Sequence, residues 1–196
     1  MTQSTEEEPA GATTWAATAL GFVRALPRTW QIAVGVLSLA LTVACFLRFG
    51  FSGRAVIGSV FAAALVLLSA IDLDCRLIPN VIVLPAIVVV LIAQIALFPD
   101  RTLEWLLASF GAALFFFVPL LIYPAGMGMG DVKLAALIGA VLGWSVAVAI
   151  LGALLAGAVF AVAVLVREGM SARKKAIPYG PFIALGGIVV MLLGGR

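Results

Sequence analysis

Residues 132–166 read VKLAALIGAVLGWSVAVAILGALLAGAVFAVAVLV, and Lys133 is the only charged side chain among these 35 residues. As a single α-helix the run would be about 52 Å long at 1.5 Å per residue. The hydrocarbon core of a bilayer is only about 30 Å thick. The run is therefore predicted to fold back on itself, and Gly143-Trp144-Ser145 is the turn-like tripeptide within it.

The composition of the whole chain extends this conclusion. Hydrophobic residues occupy 64% of the 196 positions and charged residues 11%, a composition that excludes a water-soluble domain of this length. The sequence predicts an all-α, polytopic integral membrane bundle of about seven spans, with six to eight as the range. The predicted spans are Trp30–Leu47, Ala55–Ile71, Val81–Phe98, Leu103–Tyr123, Val132–Leu142, Val146–Val166 and Phe182–Leu193.

Residues 1–29 are predicted to form a cytoplasmic tail, and residues 30–196 the membrane-embedded domain. The acidic segment Met1 to Pro9 is unlike a signal peptide, so we expect none. Thr14 to Leu26 carries large apolar side chains and ends in basic ones, which suits an amphipathic helix lying on the membrane surface. An extension of the first span is an equally supported alternative.

Basic residues indicate how the chain is oriented, because cytoplasmic loops carry an excess of Lys and Arg. If the loop with Arg76 is cytoplasmic, eight basic residues fall inside and four outside. Those inside are Arg24, Arg28, Arg76, Lys133, Arg167, Arg173, Lys174 and Lys175, and those outside are Arg48, Arg54, Arg101 and Arg196. The net charge of +3 then reflects loops that face anionic membrane lipid. The sequence contains no basic cluster with interleaved aromatic residues, so we do not expect nucleic acid as a partner.

One acidic residue, Asp131, stands between two long apolar runs in the stretch Gly128-Met129-Gly130-Asp131. Such a residue is a functional-site hypothesis by default. Glycines at positions 126, 128 and 130 would let another backbone approach closely. The alternative is that these glycines only punctuate a loop and that Asp131 caps the next helix. Asp131 to Leu142 is only about 18 Å of helix, so we expect Asp131 in a water-accessible pocket below the headgroups.

A second acidic stretch reads Asp72-Leu73-Asp74-Cys75-Arg76-Leu77-Ile78-Pro79-Asn80. It follows an apolar run that ends at Ile71, and we expect it to stop that helix, with Pro79 beginning the next one. A charged interfacial loop is the alternative, and Asp74 is expected to face solvent. Because two predicted spans separate this stretch from Asp131, both acidic stretches lie on one membrane face.

Two carboxylates held together in a partly desolvated pocket cannot both ionise easily, so they share a proton. One could then take a proton from water while the other polarises a scissile carbonyl, as in peptide hydrolysis. Histidine is absent, and neither Cys45 nor Cys75 belongs to a Cys-x-x-Cys pair. We therefore expect neither a metal site nor another cofactor.

Three motifs together resemble the bacterial type IV prepilin peptidases, membrane aspartic proteases of the Gly-x-Gly-Asp class. They are the stretch from Gly128 to Leu134, the stretch from Asp72 to Asn80, and Ile177-Pro178-Tyr179-Gly180-Pro181-Phe182, and the resemblance extends from about Ala55 to the C-terminus. It implies that the catalytic residues are Asp72 and Asp131. The implied active-site loop or substrate-binding residues are Gly128, Gly130, Lys133, Asn80 and Tyr179.

The resemblance also implies a substrate and a location. The substrate would be a prepilin or pseudopilin, cut just before a hydrophobic helix at the cytoplasmic face of the bacterial inner (plasma) membrane. Tyr179 stands where the family usually has Phe. Residues 1–54 lack the domain with paired Cys-x-x-Cys motifs that larger members use for N-methylation, so we expect peptidase activity alone. The oligomeric state stays open.

Two other functions compete with proteolysis. Carboxylates within a membrane also mark ion pathways, as in a proton-coupled transporter. The shortness of the chain, the lack of an evident inverted repeat, and the position of both acids near one face disfavour that reading. A non-enzymatic factor for pilus or secretion assembly is the other alternative, and it would need neither aspartate.

Overall fold

The computed structural model describes residues 12–122, 128–168 and 179–194. Within these ranges every regular element is a helix, as the sequence predicts. Short 3-10 turns at Pro99–Arg101 and Gly143–Ser145 precede two of the helices. The α-helices are α1 (Ala12–Ala25), α2 (Arg28–Phe49), α3 (Gly53–Cys75), α4 (Asn80–Leu97), α5 (Thr102–Ile122), α6 (Met129–Leu142), α7 (Val146–Glu168) and α8 (Gly180–Gly194).

Helix α6 lies inside the bundle, packed against α4, α5 and α8. Nine of its 14 residues are buried, which is typical of a helix that is apolar on every side. Polar side chains of its neighbours tie into its backbone: the Ser109 hydroxyl donates to the carbonyl of Ala136 (2.9 Å), and the Gln94 amide donates to that of Val141 (3.0 Å). Most of α6 is therefore enclosed by protein, although its first residue, Met129, is exposed.

The predicted reversal between α6 and α7 is confirmed. Gly143 has φ +56°, a left-handed conformation that glycine adopts at little cost, and it interrupts the helix between Leu142 and Val146. Helix α8 lies antiparallel to α7, because the start of α8 approaches Gly157 and its middle approaches Ala149. Helix α8 runs in the same direction as α6. Helix α7 therefore runs in the opposite direction to both of them, along the side of the bundle.

The helices share two ends. At the end called here the carboxylate end, α3 finishes and α4, α6 and α8 begin. At the opposite end, the Arg48 Nε donates to the carbonyl of Leu192 (3.1 Å), and the N–H of Trp144 donates to the Glu104 carboxylate (3.2 Å).

The basic residues divide between these ends as the sequence predicts, so far as they are described. Those at the carboxylate end are Arg24, Arg28, Arg76, Lys133 and Arg167, and those opposite are Arg48, Arg54 and Arg101; Arg173, Lys174, Lys175 and Arg196 lie outside the described residues.

Among the described residues, five helical segments are long and apolar enough to cross a membrane, so the chain is a multi-pass membrane protein. They are Arg28–Phe49, Gly53–Cys75, Asn80–Leu97, Pro99–Ile122 and Met129–Arg167. The last of these contains both α6 and α7, while Gly180–Gly194 is a shorter apolar helix. Each of the seven predicted segments thus contains a helix, but a count of seven spans stays a prediction.

The prediction that the stretch from Asp72 to Asn80 stops its helix is confirmed, and Pro79 directly precedes α4, but the helix ends a few residues beyond Ile71. Helix α3 continues to Cys75, and it ends at Arg76, which has a left-handed φ of 53°. Asp72, Leu73 and Asp74 contain no helix-breaking residue, so the loss of apolar character marks a change of surroundings and not the end of the helix. Asp72 therefore lies on a rigid helix.

Helix α1 is separate from the first predicted span, because the helical conformation is interrupted at Leu26 and Pro27, between α1 and α2. Leu26 is buried against Ala70 and Ile71 of α3, and the Gln31 side chain donates to its carbonyl (2.8 Å). The N-terminal helix thus docks at the carboxylate end. Its position on the membrane surface stays a prediction, and residues 1–11 of the predicted tail lie outside the described residues.

Candidate active site

Asp72 and Asp131 are the only buried acidic residues in the part of the chain that the structure describes, and each is 8% exposed. Asp72 occupies the last turn of α3, at the negative end of that helix dipole. A buried carboxylate at that position is costly unless other groups compensate. Arg76 supplies one compensating charge, since it interacts electrostatically with Asp72.

A second compensating group comes from the start of α8. The backbone N–H of Gly180 interacts with the Asp72 carboxylate, so the positive end of one helix dipole faces the acid at the negative end of another. A Cβ built on Gly180 would lie 2.5 Å from Asp72 Oδ2 and 3.0 Å from its Cγ. Residue 180 must therefore be glycine if the carboxylate is to keep this position.

Asp131 lies in the first turn of α6, on the same side of the bundle. The N–H of Gly128 donates to its Oδ2 (3.3 Å), and the Asp131 N–H donates back to the carbonyl of Gly128 (3.1 Å). Asp131 does therefore help to cap its helix, which was the alternative to a functional role. It also interacts electrostatically with Asp72, which capping does not explain. The structure thus brings the two predicted catalytic carboxyl groups, 59 positions apart, into one buried place.

The two acidic stretches also touch through Gly130. A Cβ on this residue would lie 2.7 Å from Cβ of Ile78, closer than real Cβ atoms approach. Ile78 itself is 8% exposed and belongs to the main core. Gly130 is therefore needed for close packing between the segment after α3 and the start of α6. Gly128 is exposed, and a Cβ there would make only ordinary contacts, 3.8 Å from Asp131 Oδ2.

A side-chain hydrogen bond spans the same two segments. The Lys133 Nζ donates to Asn80 Oδ1 at 2.5 Å and joins the first turn of α6 to the first residue of α4. Both residues were predicted site residues from the resemblance alone, and the structure places them together at the carboxylate end. Lys133 is half-buried and Asn80 is exposed, so the bond lies at the rim of the buried pair.

The other residues that the sequence singled out make their described contacts elsewhere. The ring of Tyr179 packs against α7, where a Cβ on Gly157 would be 3.3 Å from its Cε1. Asp74 is exposed, and its carboxylate accepts from the neighbouring Cys75 thiol (3.6 Å). Gly126, Ile177 and Pro178, which belong to the predicted motifs, lie outside the described residues.

Gly180 was missed as a site residue, although it belongs to the motif from Ile177 to Phe182. The available signal was a glycine followed by a proline at the start of an apolar segment, a place where a missing side chain admits a neighbouring group. The sequence does not indicate which group that is. The packing of α3 against α8 shows that it is the Asp72 carboxylate.

Two carboxyl groups that share a buried, partly enclosed place can divide the roles of proton acceptor and proton donor. Around them are backbone N–H donors from Gly128 and Gly180 and the side chain of Arg76. Within the described ranges, no three His, Cys, Asp or Glu side chains are grouped as a metal site would require. The arrangement therefore suits acid/base chemistry by two carboxyl groups.

Known proteins with similar sequences point the same way. Residues 59–163 match the type IV leader peptidase family. The chain is 34% identical over 155 residues to a prepilin leader peptidase/N-methyltransferase of Pseudomonas aeruginosa, covering 76% of this chain and 53% of that protein. A Bacillus subtilis protein of the same name is 32% identical over 163 residues, covering 83% and 65%, and one of Aeromonas salmonicida is 30% identical over 169 residues, covering 80% and 55%. The chain thus spans about half to two thirds of the length of these relatives. No solved structure matches it.

The family match contains Asp72, Asn80 and the segment from Gly128 to Lys133. It ends before Gly180, so the contact between α8 and Asp72 is an observation independent of that match.

Proposed function

Since the chain belongs to the type IV leader peptidase family, we propose that it is an aspartic endopeptidase that removes the leader peptide of type IV prepilins or pseudopilins. The observation that carries this proposal is the burial of both Asp72 and Asp131 at the carboxylate end of the bundle. A structural role for Asp131 as a helix cap would not require a second buried carboxyl beside it.

The proposed reaction is hydrolysis by a water molecule that the pair activates. One carboxylate takes a proton from the water, and the hydroxyl oxygen attacks the carbonyl carbon of the scissile peptide bond. The other carboxyl, which is protonated, donates to the carbonyl oxygen as negative charge develops there. The tetrahedral intermediate then breaks at the C–N bond, and a proton moves to the departing nitrogen. The products are the leader with a new carboxyl group and the mature protein with a new amino group.

We propose that the carboxylate end faces the cytoplasm across the bacterial inner membrane. In support, five of the eight described basic residues that the orientation argument uses lie at that end. The buried pair belongs to the ends of α3 and α6 and not to the middle of the bundle. A substrate anchored by a hydrophobic helix could therefore present the residues next to that helix without crossing the membrane.

Cleavage by the purified protein tests this function. The protein, reconstituted in lipid vesicles, is mixed with a prepilin from the same genome, and the products are identified by mass spectrometry. We expect a single cut just before the hydrophobic helix. The same vesicles are loaded with a pH-sensitive dye, and we expect no substrate-dependent proton flux. Proton flux without cleavage would favour a transporter, and neither result would favour an assembly factor.

Asp74 offers a matched test of which aspartate acts with Asp131. We expect Asp74→Asn to keep at least about half of the cleavage rate, because Asp74 is exposed and its substitution creates no buried unpaired group. The rate is measured beside that of Asp72→Asn. Complete loss in Asp74→Asn with cleavage retained in Asp72→Asn would transfer the catalytic role to Asp74.

The hydrogen bond between Lys133 and Asn80 is expected to hold the two acidic segments in register. We expect Lys133→Ala and Asn80→Ala each to lower kcat/KM about 3- to 10-fold, in line with the loss of a bond to a charged donor at an exposed position. The double variant should be no slower than the worse single variant, because both changes remove the same interaction. Independent, multiplying losses would contradict the register role.

A further inference from the structure

An apolar groove runs down the outside of the bundle between α2 and α8, with α3 as its floor. Each helix contributes four lining residues at positions i, i+3, i+4 and i+7, beginning with Trp30 on α2, Val66 on α3 and Pro181 on α8. This spacing is that of one helix face. Since seven residues of helix rise about 10 Å, the groove is about two turns long. Its volume is about 220 Å³.

The groove reaches the carboxylate end of the bundle. Its upper rim includes Leu73, which directly follows Asp72, and Pro181, which directly follows Gly180. At the opposite end of the bundle, α2 and α8 are joined by the hydrogen bond from Arg48 to Leu192. The groove therefore lies on the outside of the bundle, with its upper rim at the end that holds the candidate catalytic site.

We propose that this groove binds the hydrophobic helix of the substrate, an inference that rests on the proposed peptidase function. The observation that carries the assignment is that two residues of its upper rim, Leu73 and Pro181, directly follow Asp72 and Gly180 in the chain. A helix lying along the groove would end at the rim formed by Trp30, Leu73 and Pro181, next to the carboxyl pair. The first residues beyond that helix, where leader cleavage occurs, would then reach the site.

The shape of the groove suits a helix. Ala33, Ala70 and Ala184 lie at one level, one from each helix, and small residues at a helix interface let a neighbouring backbone approach closely. Larger exposed side chains, Leu37 on α2 and Leu185 on α8, form the walls on either side. A helix held between them would contact three faces at once, which orients it as well as holding it. Orientation of the scissile bond is what a peptidase of this kind requires of its docking surface.

Photo-crosslinking tests the occupant directly. A benzophenone amino acid is placed at Leu37 in the groove or at Leu39, two residues along the same helix; these side chains are 51% and 66% exposed. Positions two apart point about 160° away from each other on a helix. The full-length protein is irradiated in vesicles during prepilin turnover. We expect crosslinks to the prepilin helix from position 37 and only background from position 39.

Three outcomes would count against the proposal or its premise. Equal crosslinks to prepilin from both positions, or crosslinks from position 37 to lipid alone while prepilin is being cleaved, would overturn the groove assignment. Failure of the unsubstituted protein to cleave prepilin would contradict the peptidase function itself. The crosslinking and cleavage readouts therefore separate the two failures.

A substitution that fills the groove gives a second test. We expect Ala33→Phe to raise the KM for full-length prepilin about tenfold by occupying the space for the helix, with kcat changed less than about twofold. A soluble peptide that contains the leader junction without the helix should be cut equally well by both proteins. Ala158→Phe, at an exposed position of α7 outside the groove, is the matched control and should leave KM unchanged. An unchanged KM in Ala33→Phe would contradict the proposal.

Discussion

Asp131→Asn is expected to lower the rate of leader cleavage by at least about a thousandfold, within the range that acid/base groups contribute. Asparagine has nearly the same shape as aspartate, and its amide oxygen can still accept the hydrogen bond from the N–H of Gly128. It can neither accept a proton from water nor donate an acidic one. The packing of the first turn of α6 should therefore survive while the chemistry does not. Initial rates on a prepilin, followed by gel mobility or mass spectrometry, give the comparison.

The control for this prediction is Asp100→Asn. Asp100 is exposed, lies at the opposite end of the bundle, and takes part in neither acidic stretch. We expect its substitution to leave the rate unchanged. Membrane levels and helical circular dichroism should match the unsubstituted protein for both variants. Cleavage by Asp131→Asn at more than a tenth of the normal rate would show that Asp131 acts as a helix cap and not as a catalytic group.

Gly180→Ala is expected to lower kcat by about a hundredfold, the cost of displacing a catalytic group by roughly 1 Å. The carbon of the added methyl group would lie only 2.5 Å from Asp72 Oδ2. The carboxyl group must therefore move. The change should not weaken the helix itself, because alanine is a better helix former than glycine. The measurement is kcat for prepilin, with thermal unfolding followed in parallel.

A matched glycine separates this effect from a general effect of alanine. Gly152 in α7 has open space where a Cβ would be, so Gly152→Ala should keep full activity. The substitution should stabilise its helix by about 0.5 to 1 kcal/mol. If Gly180→Ala cleaved as fast as Gly152→Ala, the start of α8 would have no part in positioning Asp72.

The chemistry-bearing residues were the easiest part to predict from sequence. Asp131 stands out because an acid between long apolar runs must have a reason to be there, and the excessive length of residues 132–166 led to the turn at Gly143. Both inferences need only composition and the thickness of a bilayer. Asp72 was predicted at the end of its helix, but the exact end at Cys75 was not, because a change from apolar to polar residues reports their surroundings and not where a helix ends.

Contacts between distant elements were out of reach. The approach of Gly180 to Asp72 depends on how α8 packs against α3, and the groove depends on a gap that α2 and α8 leave over the same helix. A single sequence specifies apolar faces but does not state which faces meet. The docking of Leu26 against Ala70 and Ile71 is of the same kind. In each case the local sequence pattern predicted which residues are apolar or small, and only the tertiary packing showed which residues they contact.

The central claim is that Asp72 and Asp131 act as one catalytic unit, and the most direct measurement of it is the cleavage rate of Asp72→Asn, Asp131→Asn and the double variant on one prepilin. Residues that act together in one step lose nearly all their effect when either is removed. We expect each single variant to be as slow as the double variant, with all three folded in the membrane. Near-normal cleavage by either single variant, or losses that multiply in the double variant, would contradict the account.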